Sequence, residues 1–132
     1  MADIQEASVN FSTTNVSLVT TAETVIISAP RIAVVRGSVS ALILAFAQLT
    51  TGAATTTVTP RIRRGTAITD PLVGEANAVT LGAAAGSTEA FVAHAGEELT
   101  GIAGVEYSLT LQQAGATGNG TALQAAILVL LL

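Results

Sequence analysis

Two stretches of the chain are apolar at every position: Ala41-Leu42-Ile43-Leu44-Ala45-Phe46-Ala47, and Ala125-Ala126-Ile127-Leu128-Val129-Leu130-Leu131-Leu132. A strand pleats successive side chains to opposite faces, so an unbroken apolar run used as a strand must be covered on both sides. A two-layer sandwich covers only one face of each sheet. Both runs are too short to cross a bilayer as a helix, which takes about 20 residues. They therefore point to strands whose second face is covered by something else, and another copy of the same chain is the simplest cover. The alternative for Gly37–Leu49 is one buried helix, since Ala, Leu and Phe tolerate helical geometry, although Gly37, Ser38 and Ser40 lead in and Thr50-Thr51-Gly52 lead out.

The rest of the chain reads as short strands. Thr, Val and Ile clusters recur between Gly, Asn and Pro, and Val105, Tyr107, Leu109 and Leu111 alternate with Glu106, Ser108, Thr110 and Gln112 as a half-buried strand does. Val58 and Ile62 flank Pro60, with Thr57, Thr59, Arg61 and Arg63 on the opposite parity, and the proline predicts an edge strand or a bulge. Further strands are expected at Val16–Thr20, Glu23–Ser28, Ile32–Arg36, Gly37–Leu49, Ala76–Leu81, Thr88–His94 and Thr121–Leu132. The expected fold is an all-β antiparallel sandwich, jelly-roll-like, of eight or nine short strands. Residues 1–22 form either an arm that reaches a neighbour or a first strand, and residues 23–132 form a single domain. Loops are expected at Arg64–Glu75, Gly82–Ser87 and Ala114–Gly120, with a hairpin turn at Asn119-Gly120.

Composition narrows the function. The 132 residues are 50% apolar and 11% charged with net charge −4, which excludes a disordered charged tail and disfavours a nucleic-acid binder. Aromatics are 3%, namely Phe11, Phe46, Phe91 and Tyr107. A core of small side chains gains little per residue at about 25 cal/mol per Å² buried, which again favours assembly. The acidic N-terminus, Met1 to Glu6, does not fit a secretory signal, so synthesis and retention in a cytosol, or release by lysis, is expected.

Catalytic chemistry has few candidates. Cysteine is absent, and lysine is absent as well, because all five basic residues are arginine. That removes thiolate chemistry, Schiff bases and the phosphate-loop lysine. The single histidine, His94, precedes Glu97 and Glu98; this is a metal site only on a spacing that zinc does not favour, and otherwise a strand end before a turn at Gly96. No Gly-x-Ser-x-Gly elbow occurs. No enzyme activity, cofactor, metal, small-molecule substrate or membrane partner is expected. Arg61, Arg63 and Arg64 form either an ion-pair patch for a partner or a charge that protects an edge strand.

Two stretches carry a resemblance: Thr55-Thr56-Thr57-Val58-Thr59-Pro60-Arg61-Ile62-Arg63-Arg64-Gly65, and Glu106-Tyr107-Ser108-Leu109-Thr110-Leu111-Gln112-Gln113 with the Gly118-Asn119-Gly120 turn and the final strand. In texture, over residues 23–132, they are similar to small virion proteins of tailed bacteriophages, laid on a jelly roll like that of the tumour-necrosis-factor-like trimers. The resemblance implies a capsid decoration, or cement, protein: a homotrimer on the virion surface, made in the host cytoplasm, that binds the major capsid protein. The alternative is a trimeric receptor-binding or fibre-tip module. Leu42, Leu44, Phe46, Ile127, Val129 and Leu131 are the candidate contacts between copies. Arg61, Arg63, Arg64 and Asp70 are the candidate contacts to a partner.

Overall fold

The computed structural model describes residues 4–18, 21–51, 55–82, 86–114 and 120–132. Among them are twelve strands: β1 (Glu6–Ser12), β2 (Val16–Leu18), β3 (Thr24–Ser28), β4 (Ile32–Ala33), β5 (Ser38–Thr51), β6 (Thr56–Arg64), β7 (Leu72–Glu75), β8 (Val79–Leu81), β9 (Thr88–Thr100), β10 (Gly104–Val105), β11 (Tyr107–Ala114) and β12 (Gly120–Leu131). All pairings are antiparallel. The expected turn at Asn119 and the expected loop at Ala83–Ala85 lie outside the described residues.

Eight strands have four residues or more, and they make two four-stranded layers. One is ordered β1-β12-β5-β9, with β2 extending β1 along β12; the other is ordered β3-β11-β6-β7, with β8 beside β7 along β6. Among the eight, every step along the chain crosses from one layer to the other except β6 to β7. That winding is a jelly roll. The short β4 and β10 pair with each other at one end of the sandwich. These short segments raise the strand number above the expected eight or nine.

The stretch Gly37–Leu49 forms no helix: from Ser38 on it is strand β5. Its odd residues, Val39, Ala41, Ile43, Ala45, Ala47 and Leu49, are buried in the core. They face Val58, Ile62, Tyr107, Leu109 and Leu111 of the other layer, all within 3% of complete burial. Several expectations are corrected. Pro60 lies in an interior strand rather than at an edge, flanked by β11 on one side and by β8 and β7 on the other, while the alternative of a bulge has a counterpart in the register shift against β7 between Ile62 and Arg63. β8 covers Thr56–Val58 and β7 covers Arg61–Arg63, so the proline with its missing donor falls in the gap between them, and its carbonyl accepts from Ala76 N at 3.0 Å. The expected loop Arg64–Glu75 contains β7, and Glu97 and Glu98 lie inside β9 rather than in a turn, because Gly96 is extended opposite Leu42.

Candidate interaction surface

The outer face of the β1-β12-β5-β9 sheet is built by register. In antiparallel pairing, residues directly opposite share a face. Three rows result: Phe11–Ala126–Phe46–Val92, Val9–Leu128–Leu44–His94 and Ala7–Leu130–Leu42–Gly96. No formal charge stands in these rows. At one end Ser40 donates to Glu98 Oε1 at 2.6 Å, and at the other Gln48 pairs in register with Gln124 and Ala90. Phe11 and Phe46 bracket a shallow cleft over Ala126, with Gln48 and Gln124 at its rim.

The exposure is large for an apolar face. Val9 is 64% exposed, Phe11 64%, Phe46 42% and Val92 61%. With about 150–250 Å² on each large side chain, these four leave roughly 400 Å² of apolar surface in water. The partly covered Leu42, Leu44, Leu128 and Leu130 bring the patch to about 600 Å², the order of the roughly 800 Å² that one partner contributes to a standard interface. β1 is the clearest case. It sends Val9 and Phe11 outward and turns Ser8 and Asn10 inward, where Ser8 Oγ donates to the Pro30 carbonyl and Asn10 Nδ2 to the Ser28 carbonyl, each at 2.8 Å.

The six residues expected between copies divide by parity. Leu42, Leu44 and Phe46 lie on this outer face. Ile127, Val129 and Leu131 do not: they are 0, 1 and 1% exposed, sealed inside the chain's own core. The outward residues of β12 are their neighbours Ala126, Leu128 and Leu130. A register irregularity between Ala122 and Gln124 sets which parity points out.

The residues expected to meet a partner are occupied within the chain. Arg63 holds Glu23 with Nε at 3.0 and 3.1 Å from its two oxygens and Nη2 at 2.8 Å from Oε2, and its Nη1 donates to the Asp70 carbonyl at 2.9 Å. Arg61 Nε donates to Glu75 at 2.7 Å and its Nη1 to Gln112 at 2.6 Å. Thr110 Oγ1 donates to Glu23 at 2.6 Å. Burial pushes the Glu23 carboxyl up, but the bonds from Arg63 and Thr110 and the charges of Arg63 and Arg61 outweigh it and hold the group below the ordinary carboxylate range. Asp70 Oδ2 accepts from Ala67 N at 2.8 Å within its own turn. The arginines thus lace the outer face of the second sheet to itself.

Arg64 has a different place. Its Nε lies 3.0 Å from Glu97 Oε1, and the same oxygen accepts from Tyr107 Oη at 2.6 Å. Arg64 and Tyr107 come from one sheet and Glu97 from the other, so this cluster ties the two layers together. Burial, and then the bond to the Glu97 carboxylate, raise the Tyr107 phenol well above its usual value. The alternation of β9 separates the three residues weighed as a metal site: Glu97 points in, while His94 and Glu98 lie two rows apart on the outer face. Among the described residues no cluster of three His, Cys, Asp or Glu is placed to hold a metal, and no helix is long and apolar enough to cross a membrane.

Sequence reasoning missed Glu23, Val9, Phe11 and Val92. The alternation Ser8-Val9-Asn10-Phe11-Ser12 was the available signal for two of them. Glu23 had none, because its partners lie 40 and 87 residues away.

No family model matches the chain, and no curated protein does. Among solved structures, a chain from infectious bursal disease virus Gx strain superposes on 98% of this protein with a TM-score of 0.51 at 12% identity, and this protein spans 32% of that chain. The Eiger TNF of S. frugiperda superposes on 96% of this protein, and 91% of itself, with a TM-score of 0.50 at 9% identity. At such identities the likeness is one of fold: this chain is an antiparallel jelly-roll sandwich similar to a viral and a TNF chain.

Proposed function

We propose that the protein is a structural component of a phage virion, a decoration protein that assembles as a homotrimer and staples neighbouring major capsid subunits on the head. The observation that carries this reading is the uncharged apolar outer face of the β1-β12-β5-β9 sheet, with Phe46 exposed on a central strand and Val9, Phe11 and Val92 exposed on the two outer ones. An apolar patch of this size costs solubility unless it is covered. Covering it with copies of the chain sets equivalent loops side by side. Three modest contacts to a shell then hold together far more firmly than one, because all must release at once. In this reading the connection at residues 65–71, away from that face, is the part that meets the shell.

The test is to mix purified protein with expanded heads that lack it. Co-sedimentation and a higher melting temperature of the heads are expected; a protein that neither sediments with heads nor changes their melting overturns the proposal. A receptor-binding module is the second reading, and the Phe11–Phe46 cleft rimmed by two glutamines favours it. It predicts retention on host-surface glycans in place of heads.

A further inference from the structure

His94 is exposed on the outer face of β9, opposite Leu44 and between Val92 and Gly96 on its own strand. The charged groups near it among the described residues are accounted for. The outward residues of β5 beside it, Leu42, Leu44 and Phe46, carry none. Beyond the outer edge of β9, His94 shares a cleft with Asn77 and Glu75, and the Glu75 carboxylate is held by Arg61 at 2.7 Å. Glu98, four residues further along β9, accepts from Ser40. His94 is therefore the one titratable side chain in the three apolar rows, and among the described residues the carboxylates nearest it are engaged elsewhere, Glu75 by Arg61 and Glu98 by the Ser40 hydroxyl.

We infer that His94 makes self-association through this face pH-dependent, with copies held together while the imidazole is neutral and released when it takes a proton. The inference rests on the proposed self-association through the same face. Covering the rows with a second copy removes water from the imidazole, and an unpaired charge placed there is strongly disfavoured. Histidine is the side chain whose ordinary charge change falls between pH 5 and 8. The associated state binds fewer protons than the separated one, so association holds toward the upper end of that window and is lost toward its lower end. Linkage sets the steepness at up to about tenfold in the dissociation constant, per chain, for each pH unit below the midpoint.

The experiment is sedimentation velocity on the whole protein and on His94→Gln at pH 7.5 and pH 5.0, with far-ultraviolet circular dichroism on the same samples. Expected are an assembled wild type at pH 7.5, folded single chains at pH 5.0, and a His94→Gln protein assembled at both. Wild type that remains assembled at pH 5.0 overturns the inference and leaves self-association standing. Wild type that is a single chain at pH 7.5 overturns self-association and the inference with it. A His94→Gln protein that still separates at pH 5.0, or loss of the β spectrum there, overturns the role of His94.

Discussion

Arg63 faces Glu23 side by side, Nε and Nη2 against the two carboxylate oxygens at 2.8–3.1 Å, with side chains only 16 and 10% exposed. This pair anchors the segment leading into β3 to the centre of the second sheet. Removing one member leaves the other charged, half-desolvated and short of partners. Arg63→Ala is expected to cost about 2–4 kcal/mol, somewhat under the loss for a fully buried pair because water still reaches one side. Urea denaturation at pH 7 measures it. A loss below about 0.5 kcal/mol would class the pair with ordinary surface ion pairs.

The same pair gives the fold an acid limit. Glu23 titrates below the ordinary carboxylate range in the folded chain and within it when unfolded. Its contribution is therefore fully present above about pH 4.5 and is lost as pH falls through the lowered folded value. The urea midpoint of the wild type should fall steeply below about pH 4.5. Glu23→Gln should start lower at pH 7 and show a shallower fall, and parallel profiles for the two proteins would refute the assignment.

Parity on the first sheet separates two kinds of apolar residue that lie one position apart. Ile127 is completely buried, so Ile127→Ala should cost about 2–5 kcal/mol through lost transfer energy and a cavity. Phe46 is 42% exposed, and Phe46→Ser should change the unfolding free energy of the separated chain by less than about 1 kcal/mol. It should nevertheless weaken association of copies at least tenfold, the equivalent of about 1.4 kcal/mol. Paired denaturation and light-scattering measurements check both halves of the contrast.

The legibility of the chain follows the same parity. β11 was readable as a strand because Tyr107, Leu109 and Leu111 alternate with polar residues, although it is not half-buried as that alternation predicts, since Ser108 and Thr110 are buried as well; β5 and β12 were readable because nothing breaks their apolar runs. A wholly apolar run carries no phase, however, so nothing within Ala125–Leu132 states that Ile127 points in and Leu128 out. The irregularity between Ala122 and Gln124 decides it, and that is a property of the pairing with β5. β7 was hidden by Asp70-Pro71 and Gly74, whose turn chemistry is overridden by pairing to β6. The C-terminal half of β9 was hidden by Gly96, which reads as a turn in isolation and sits extended in a 13-residue strand. The arginine network was visible as a cluster, but its acidic partners are distant in sequence, and charge alone does not say whether a patch is satisfied from within.

Gly65 provides a backbone test of the β6–β7 connection. Its φ is +134°, and a Cβ there would run into the Asp70 carboxylate that caps the turn at Ala67. Its carbonyl also accepts from the buried Ser108 hydroxyl, and its N–H donates to the Glu106 carbonyl at 2.8 Å. Gly65→Ala is expected to cost about 1–3 kcal/mol, whereas Gly37→Ala, where φ is not positive and the added methyl meets nothing, should stay within about 1 kcal/mol of wild type. Equal effects at the two glycines in thermal denaturation would contradict the turn geometry.

Tyr107 is the only tyrosine in the chain, so its ionisation can be read without interference. The phenol is fully buried and donates to Glu97. A phenol whose folded value is raised contributes stability that is present below its ordinary value near 10 and is lost as pH rises toward the folded value. The absorbance change of tyrosinate at 295 nm should be missing from the folded protein at pH 10.5 and appear in urea at the same pH. Tyr107→Phe should cost about 1–2 kcal/mol at pH 7, because Glu97 keeps the charge of Arg64 beside it but loses the hydrogen bond from the phenol. It should also abolish the decline of stability above pH 10. A tyrosine that ionises freely near pH 10 in the folded chain would mean that the cluster of Arg64, Glu97 and Tyr107 does not seal the end of the sandwich.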